Sequence, residues 1–175
     1  MRTILTKGAR YWHTLRYLRP VQIVGRLQLF FRRPQIDYSP AGALRSITGN
    51  WIIPARRRQS MLAERSFRFL NEEHQIDSAN DWNNKQWAKL WLYNLHYFDD
   101  LCSIDADQRA DWHRKLIDRW IDENPAGKGN GWEPYPSSLR IVNWIKWTLA
   151  GNLMEERWLQ SLALQVRFLF QNLET

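Results

Sequence analysis

Trp132-Glu133-Pro134-Tyr135-Pro136-Ser137-Ser138-Leu139-Arg140-Ile141-Val142-Asn143-Trp144 is the stretch on which the fold turns. Two aromatics sit in a Gly/Pro-rich loop that runs straight into a helix carrying an Arg, an Asn and further Trp. The helix is expected to start near Pro136 or Ser137, with Ser137 as its N-cap, and to end near Gly151. It is apolar nearly all the way round, so burial on more than one side is expected. Flat aromatics, a guanidinium and an amide at one helix mouth suit a ring-shaped, hydroxylated, anionic ligand such as a sugar acid.

Working outward, a helix over 85–102 carries Trp87, Leu90, Trp91, Leu92, Leu95, Phe98 and Leu101 at helical spacing. Asp105 and Gln108 have the spacing of a capping box and launch a helix over 106–123, whose charged face, from Asp107 to Asp122, places it on the outside. Asn152 and Glu155 repeat the capping pattern before a helix over 153–173. Alternating buried and surface helices predict an all-α fold of antiparallel hairpins, arranged as part of an incomplete α/α toroid over 85–175.

Upstream, residues 3–18 and 20–32 read as two amphipathic helices, so 1–33 is expected to form a basic helical hairpin, with Pro20 between the helices. Residues 34–84 are an irregular connecting segment. Within it, Trp51-Ile52-Ile53 reads as a strand or a buried loop, Arg56-Arg57-Arg58 as a solvated turn or an anion contact, and Phe67, Phe69 and Leu70 as a short strand or extended edge.

The chain has 175 residues, 44% hydrophobic and 25% charged, with eleven Trp. That much Trp implies a wide core, an aromatic-lined groove, or both. Its net charge of +7 is uneven: residues 1–70 carry +12 and residues 71–175 carry −5. A basic front half implies an anionic partner or a solvated helix face. Nucleic acid is not expected, because the basic residues match no recognised module. Residues 1–33, with Lys/Arg opposite Trp/Leu/Phe, also suit a membrane surface or docking onto a partner protein.

Cys102 is alone, which excludes an internal disulfide, and it reads as a core residue. His13, His74, His96 and His113 are scattered, so neither a metal nor a cofactor is expected. No apolar run is long enough to cross a bilayer and no export signal is visible, so the cytoplasm is the default expectation.

Leu90-Trp91-Leu92-Tyr93-Asn94-Leu95-His96-Tyr97-Phe98-Asp99, followed by the Trp132–Trp144 segment, resembles the N-terminal part of the heparinase II/III polysaccharide lyases. Arg16-Tyr17-Leu18-Arg19-Pro20-Val21-Gln22-Ile23-Val24-Gly25-Arg26 looks like the start of members of that family. The resemblance implies an α/α toroid, a β-sandwich further on, cleavage of uronic-acid polysaccharides by β-elimination, and a bacterial envelope or periplasmic setting. The family's carboxylate-neutralising Asn and its proton-moving Tyr and His lie downstream of the matched stretch. No catalytic residue is therefore expected here, and the chain reads as a catalytically silent N-terminal portion whose partners are an anionic polysaccharide and the remainder of the enzyme. A helical scaffold that docks a partner through its basic hairpin is the alternative.

Candidate substrate-binding residues are Trp132, Tyr135, Arg140, Asn143, Asn94, His96 and Tyr97. Trp132 and Tyr135 either line a groove or plug a space between helices. Arg140 pairs either with a uronate carboxylate or with Glu133 or an Asp of the 85–102 helix. His96 is either a base or a core histidine, and Asn94 and Tyr97, three residues apart, either face a groove or tie two helices together.

Overall fold

The structure, a computed structural model, describes residues 35–46, 48–52 and 54–172. They belong to one compact unit, Gln35–Leu173. The helices expected over 3–18 and 20–32, and with them the basic hairpin, lie outside the described residues.

The all-α expectation is overturned. Residues 61–75 form a three-stranded antiparallel sheet in the order β1-β2-β3, with β1 over Met61–Ala63, β2 over Ser66–Phe69 and β3 over Glu72–Gln75. Phe69 pairs with Glu72, so Leu70-Asn71 is a two-residue hairpin turn; both residues take positive φ, 54° and 64°, the conformation such a turn demands. Phe67 opposes His74 directly and Phe69 lies two residues along on the same face. That face packs on a helix: the Trp91 ring meets Phe69 edge-on at 5.2 Å and His74 at 4.6 Å, and its indole N–H donates to the Glu72 carbonyl at 3.1 Å. The strands are three or four residues long, and their apolar residues are Met61, Leu62 and Ala63 in β1 and Phe67 and Phe69 in β2, too short a run to show an alternation. The Trp51–Ile53 run is neither a strand nor a buried loop where it is described: Ile52 is 85% exposed.

Four α-helices follow among the described residues: α1 over Lys89–Tyr97, α2 over Ala110–Glu123, α3 over Pro134–Leu149 and α4 over Glu156–Gln171. The first is half the expected length. Phe98 adopts the left-handed conformation at φ 59° and ends it, and the chain continues as a 3-10 turn over Asp99–Cys102. Burial is the physical reason: the Phe98 ring packs edge-on against Trp120 and Trp144, and the turn sends Asp100 inward.

Neither expected capping box forms. Asp105 is itself left-handed and makes no side-chain cap, and Asn152 donates back to the Trp147 carbonyl at 2.9 Å, closing the end of α3. Ser137 is not an N-cap either. Glu133 holds that position, Pro134 and Pro136 occupy the first turn, and the Ser137 hydroxyl donates to the Gly131 carbonyl at 3.0 Å.

α2 buries His113, Leu116, Ile117 and Trp120, at spacings of three and four, and turns its charges outward. α3 does not bury its whole circumference: Val142 and Ile145 are 43% and 41% exposed. Indoles dominate the core, with Trp82, Trp91, Trp120, Trp144 and Trp158 almost wholly enclosed. Asp100 fastens the sheet to the helices. Its Oδ1 accepts the backbone N–H groups of Ser60 at 2.7 Å and Met61 at 3.0 Å, while its Oδ2 takes Arg109 at 2.9 Å and His113 at 2.8 Å. Among the described residues, no helix is long and apolar enough to cross a membrane.

Candidate functional site

Lys89, Tyr93 and Tyr97 recur every four residues along α1 and form one stripe. The first turn of α3 brings Tyr135 across it, with ring centroids 5.7 Å from Tyr97 and 6.5 Å from Tyr93. Glu133 joins the two helices: its carboxylate accepts the Tyr93 hydroxyl and pairs with Lys89 at 3.0 Å. Tyr135 is 59% exposed and Tyr97 largely covered, so the phenols form a shelf with one open ring and a stiff base.

The electrostatics of the shelf favour binding over proton transfer. Burial, with Tyr135 and Asp99 close by, pushes the Tyr97 hydroxyl up to about 12. Burial and the Glu133 carboxylate also raise Tyr93. A general base works best with a pKa near the working pH, and neither phenol comes near it.

The structure splits the seven expected site residues. Tyr97 and Tyr135 meet on the shelf. Asn94 lies on the same helix but donates its amide to the Leu90 carbonyl one turn back, at 2.7 Å. Asn143 is a tie between helices: its amide donates to the Tyr97 carbonyl and to Asp99, each at 2.8 Å, satisfying the end of α1.

His96, Arg140 and Trp132 are core residues. His96 is fully enclosed; its Nε2 faces the Trp82 carbonyl at 3.0 Å and its Nδ1 accepts the Trp120 indole N–H at 3.0 Å, which fixes the Nε2–H tautomer. Burial and the nearby Arg140 cation hold its pKa down at about 3, so it is neutral. Arg140 is fully enclosed, stacks on Trp120 at 3.8 Å, and donates to Gln165 Oε1 at 2.8 Å and to the His96 carbonyl at 3.3 Å. It pairs with neither Glu133 nor an Asp among the described residues, and no ligand carboxylate can reach it. Trp132 is 6% exposed, packs on Trp120 and Phe168, and donates its indole N–H to the Asn124 carbonyl at 3.2 Å.

Sequence reasoning passed over Tyr93, Lys89 and Glu133. The Lys89-Tyr93-Tyr97 spacing carried a signal for the first two; Glu133 needed the α1–α3 packing. Cys102 is half-buried, and burial raises its thiol, in keeping with a packing role. Among the described residues no cluster of ligands suits a metal ion. Within Arg56–Arg58, Arg57 pairs with Asp99 at 3.1 Å. Residues 35–175 carry 17 Lys and Arg against 18 Asp and Glu, so the net positive charge resides in residues 1–34.

No family model, no curated protein and no solved structure matches this chain.

Proposed function

We propose that this chain is a glycan-contacting portion of a lyase of the heparinase II/III kind, which holds a uronic-acid polysaccharide while β-elimination is carried out by groups elsewhere. The observation that carries the reading is the Tyr93–Tyr97–Tyr135 shelf with Lys89 at its edge. A pyranose presents a face of C–H groups that packs on an aromatic plane, while its hydroxyls and carboxylate remain at the wet rim. Lys89, paired with Glu133, stands at the rim, and the basic residues of 1–34 add a diffuse attraction for a polyanion. β-Elimination needs a base for the proton next to the uronate carboxyl and a donor for the enolate-like intermediate. His96 and Arg140, the side chains of the right chemistry, are sealed in the core, so the chain itself is read as binding rather than cleaving.

The test is affinity electrophoresis of the whole chain in gels cast with a polyuronate or with a neutral glucan. Retardation by the polyuronate that Tyr135→Ala and Lys89→Ala each weaken supports the proposal. Equal mobility of the parent and both variants sinks it, and robust release of unsaturated uronate by this chain alone refutes the binding-only role.

A second reading is a helical scaffold with a protein partner, favoured by the exposed Val142 and Ile145 on α3. It predicts concentration-dependent association that Val142→Ser with Ile145→Ser abolishes while polyuronate binding persists.

A further inference from the structure

The Arg56-Arg57-Arg58 triplet lies along the residues that follow α1. Arg57 forms a parallel bridge with Ser103: its N–H donates to the Cys102 carbonyl at 3.2 Å, and its own carbonyl accepts from Ile104 at 2.9 Å. Side chains alternate along a chain paired in this way. Arg57 goes to Asp99, at 3.1 Å, and Arg56 lines a cavity of about 340 Å³ between this segment, the turn after α1 and the end of α3. That volume lies within the span of about 300–1,000 Å³ typical of small-molecule sites.

Lys146, in the last turn of α3, lines the same cavity from a second element. Burial raises the Cys102 thiol on the cavity wall and the Lys146 cation pulls it the other way, so that ammonium stands near the wall. Arg56 is exposed and Lys146 half-buried, so both are open to solvent. Neither forms an ion pair with a described residue. Asp107, the acid among the described lining residues, is exposed and pairs with neither. The carbonyls that end α3 would repel an anion, but they are covered: the Ala150 and Gly151 N–H groups donate to those of Lys146 and Thr148, and the Asn152 amide to that of Trp147. The described lining therefore carries two uncompensated cations against one acid.

We propose that this cavity is a binding site for a small phosphate monoester. Arg56 and Lys146 take the phosphate oxygens, the guanidinium as a fork of donors and the ammonium as a point charge. A phosphate monoester carries close to two negative charges at neutral pH and so matches both cations. A carboxylate matches one and leaves the other uncompensated. A hydroxyl on the organic part of the ester has an acceptor in Asp107. The site does not rest on the polyuronate reading, since it shares no residue with the tyrosine shelf.

The experiment is a calorimetric titration of the whole chain at about pH 7.5, where the ester is close to doubly charged. The probes are glycerophosphate, with lactate and glycerol as the singly charged and neutral counterparts. The expected result is saturable binding of glycerophosphate, with lactate about 3- to 10-fold weaker and glycerol silent. Arg56→Gln and Lys146→Gln are each expected to weaken glycerophosphate about 3- to 10-fold. Arg58→Gln removes the same charge from the same triplet outside the cavity, and is expected to leave the affinity unchanged. No saturable binding of glycerophosphate overturns the proposal, as does lactate bound equally well or Arg56→Gln with the parent affinity. An Arg58→Gln loss as large as that of Arg56→Gln also overturns it, since it marks a diffuse attraction rather than a site. A thermal melt accompanies each variant, and the exposed Arg56 carries the test if Lys146→Gln fails to fold. Tyr135→Ala is expected to leave glycerophosphate binding untouched, which keeps this site and the tyrosine shelf distinguishable.

Discussion

The guanidinium of Arg140 lies 3.8 Å from the Trp120 ring centroid, and both side chains are almost wholly enclosed. The cation is held by a π face and by neutral oxygens rather than by a carboxylate. Taking a charge out of water costs several kcal/mol, and only a well-arranged set of partners offsets that. Arg140→Ala leaves Gln165 without its donor and opens a void; a loss of about 3–5 kcal/mol in urea unfolding is expected. Arg140→Met fills most of the volume without a charge and is expected to cost far less. Equal losses for the two variants would mean the charge itself is what the core needs.

His96 gives the fold a pH dependence with a definite sign. Its pKa falls from 6.5 to about 3 on folding, so between these values the unfolded chain binds the extra proton. The stability it contributes is complete above 6.5 and is lost as pH falls toward 3. Chemical denaturation at steps from pH 7 to pH 4 should give a falling free energy, and His96→Gln should flatten that slope.

Asp100 adds a second, lower window. Burial alone would raise its carboxyl; hydrogen bonds from His113, Ser60, Met61 and Arg109 outweigh burial and hold it well below the usual carboxylate range. A depressed acid contributes stability above its unfolded value of about 3.9 and loses it as pH drops toward the folded value. Asp100→Asn should therefore be destabilised at neutral pH and lose less than the parent on acidification below 4, as read by the same unfolding series.

Gly131 is fixed by contact. A Cβ there would stand 2.6 Å from His96 Nδ1, the atom that accepts the Trp120 indole N–H. Gly131→Ala has to displace that ring, and a cost of about 1–3 kcal/mol is expected. A melt unchanged by Gly131→Ala would show that the His96 ring can move freely.

The turn at Leu70-Asn71 departs from the residues its geometry prefers. A side chain with a Cβ in the left-handed region costs roughly 1–2 kcal/mol, and Leu70 is 55% exposed, so it recovers little by packing. Replacing Leu70-Asn71 with Asn-Gly should stabilise the protein by about 1 kcal/mol, seen as a higher urea midpoint with an unchanged slope.

The helices were legible because their apolar residues recur at three and four, as in Leu116, Ile117 and Trp120; the burial of His113 on that same face was not legible, since it stands among charges in the sequence. Of the sheet, only the middle strand was legible, from Phe67 and Phe69; β1 is three residues long, β3 carries no apolar residue, and the hairpin lacks the Asn-Gly signature. Helix ends misled for a related reason: Asp105 and Asn152 have capping chemistry, but Asp105 turns left-handed and Asn152 is taken by the end of α3. The site was half legible. Tyr135 could be read as an aromatic at a helix start, and Tyr97 as one of two residues sharing a helix face. The linear reading left His96 as a base or a core histidine and Arg140 as a ligand contact or an ion pair; only packing decides, burying both.

The indole core has an optical consequence. Trp120 has its N–H on a titratable imidazole and its face under a guanidinium, with Trp132 and Trp144 centroids 5.6 and 6.1 Å away. At such spacing, excitation absorbed by any of the three rings migrates among them before it is emitted. Protonation of the single imidazole at His96 would then dim a whole group of chromophores together, so the protein carries an internal fluorescent gauge of its own core chemistry.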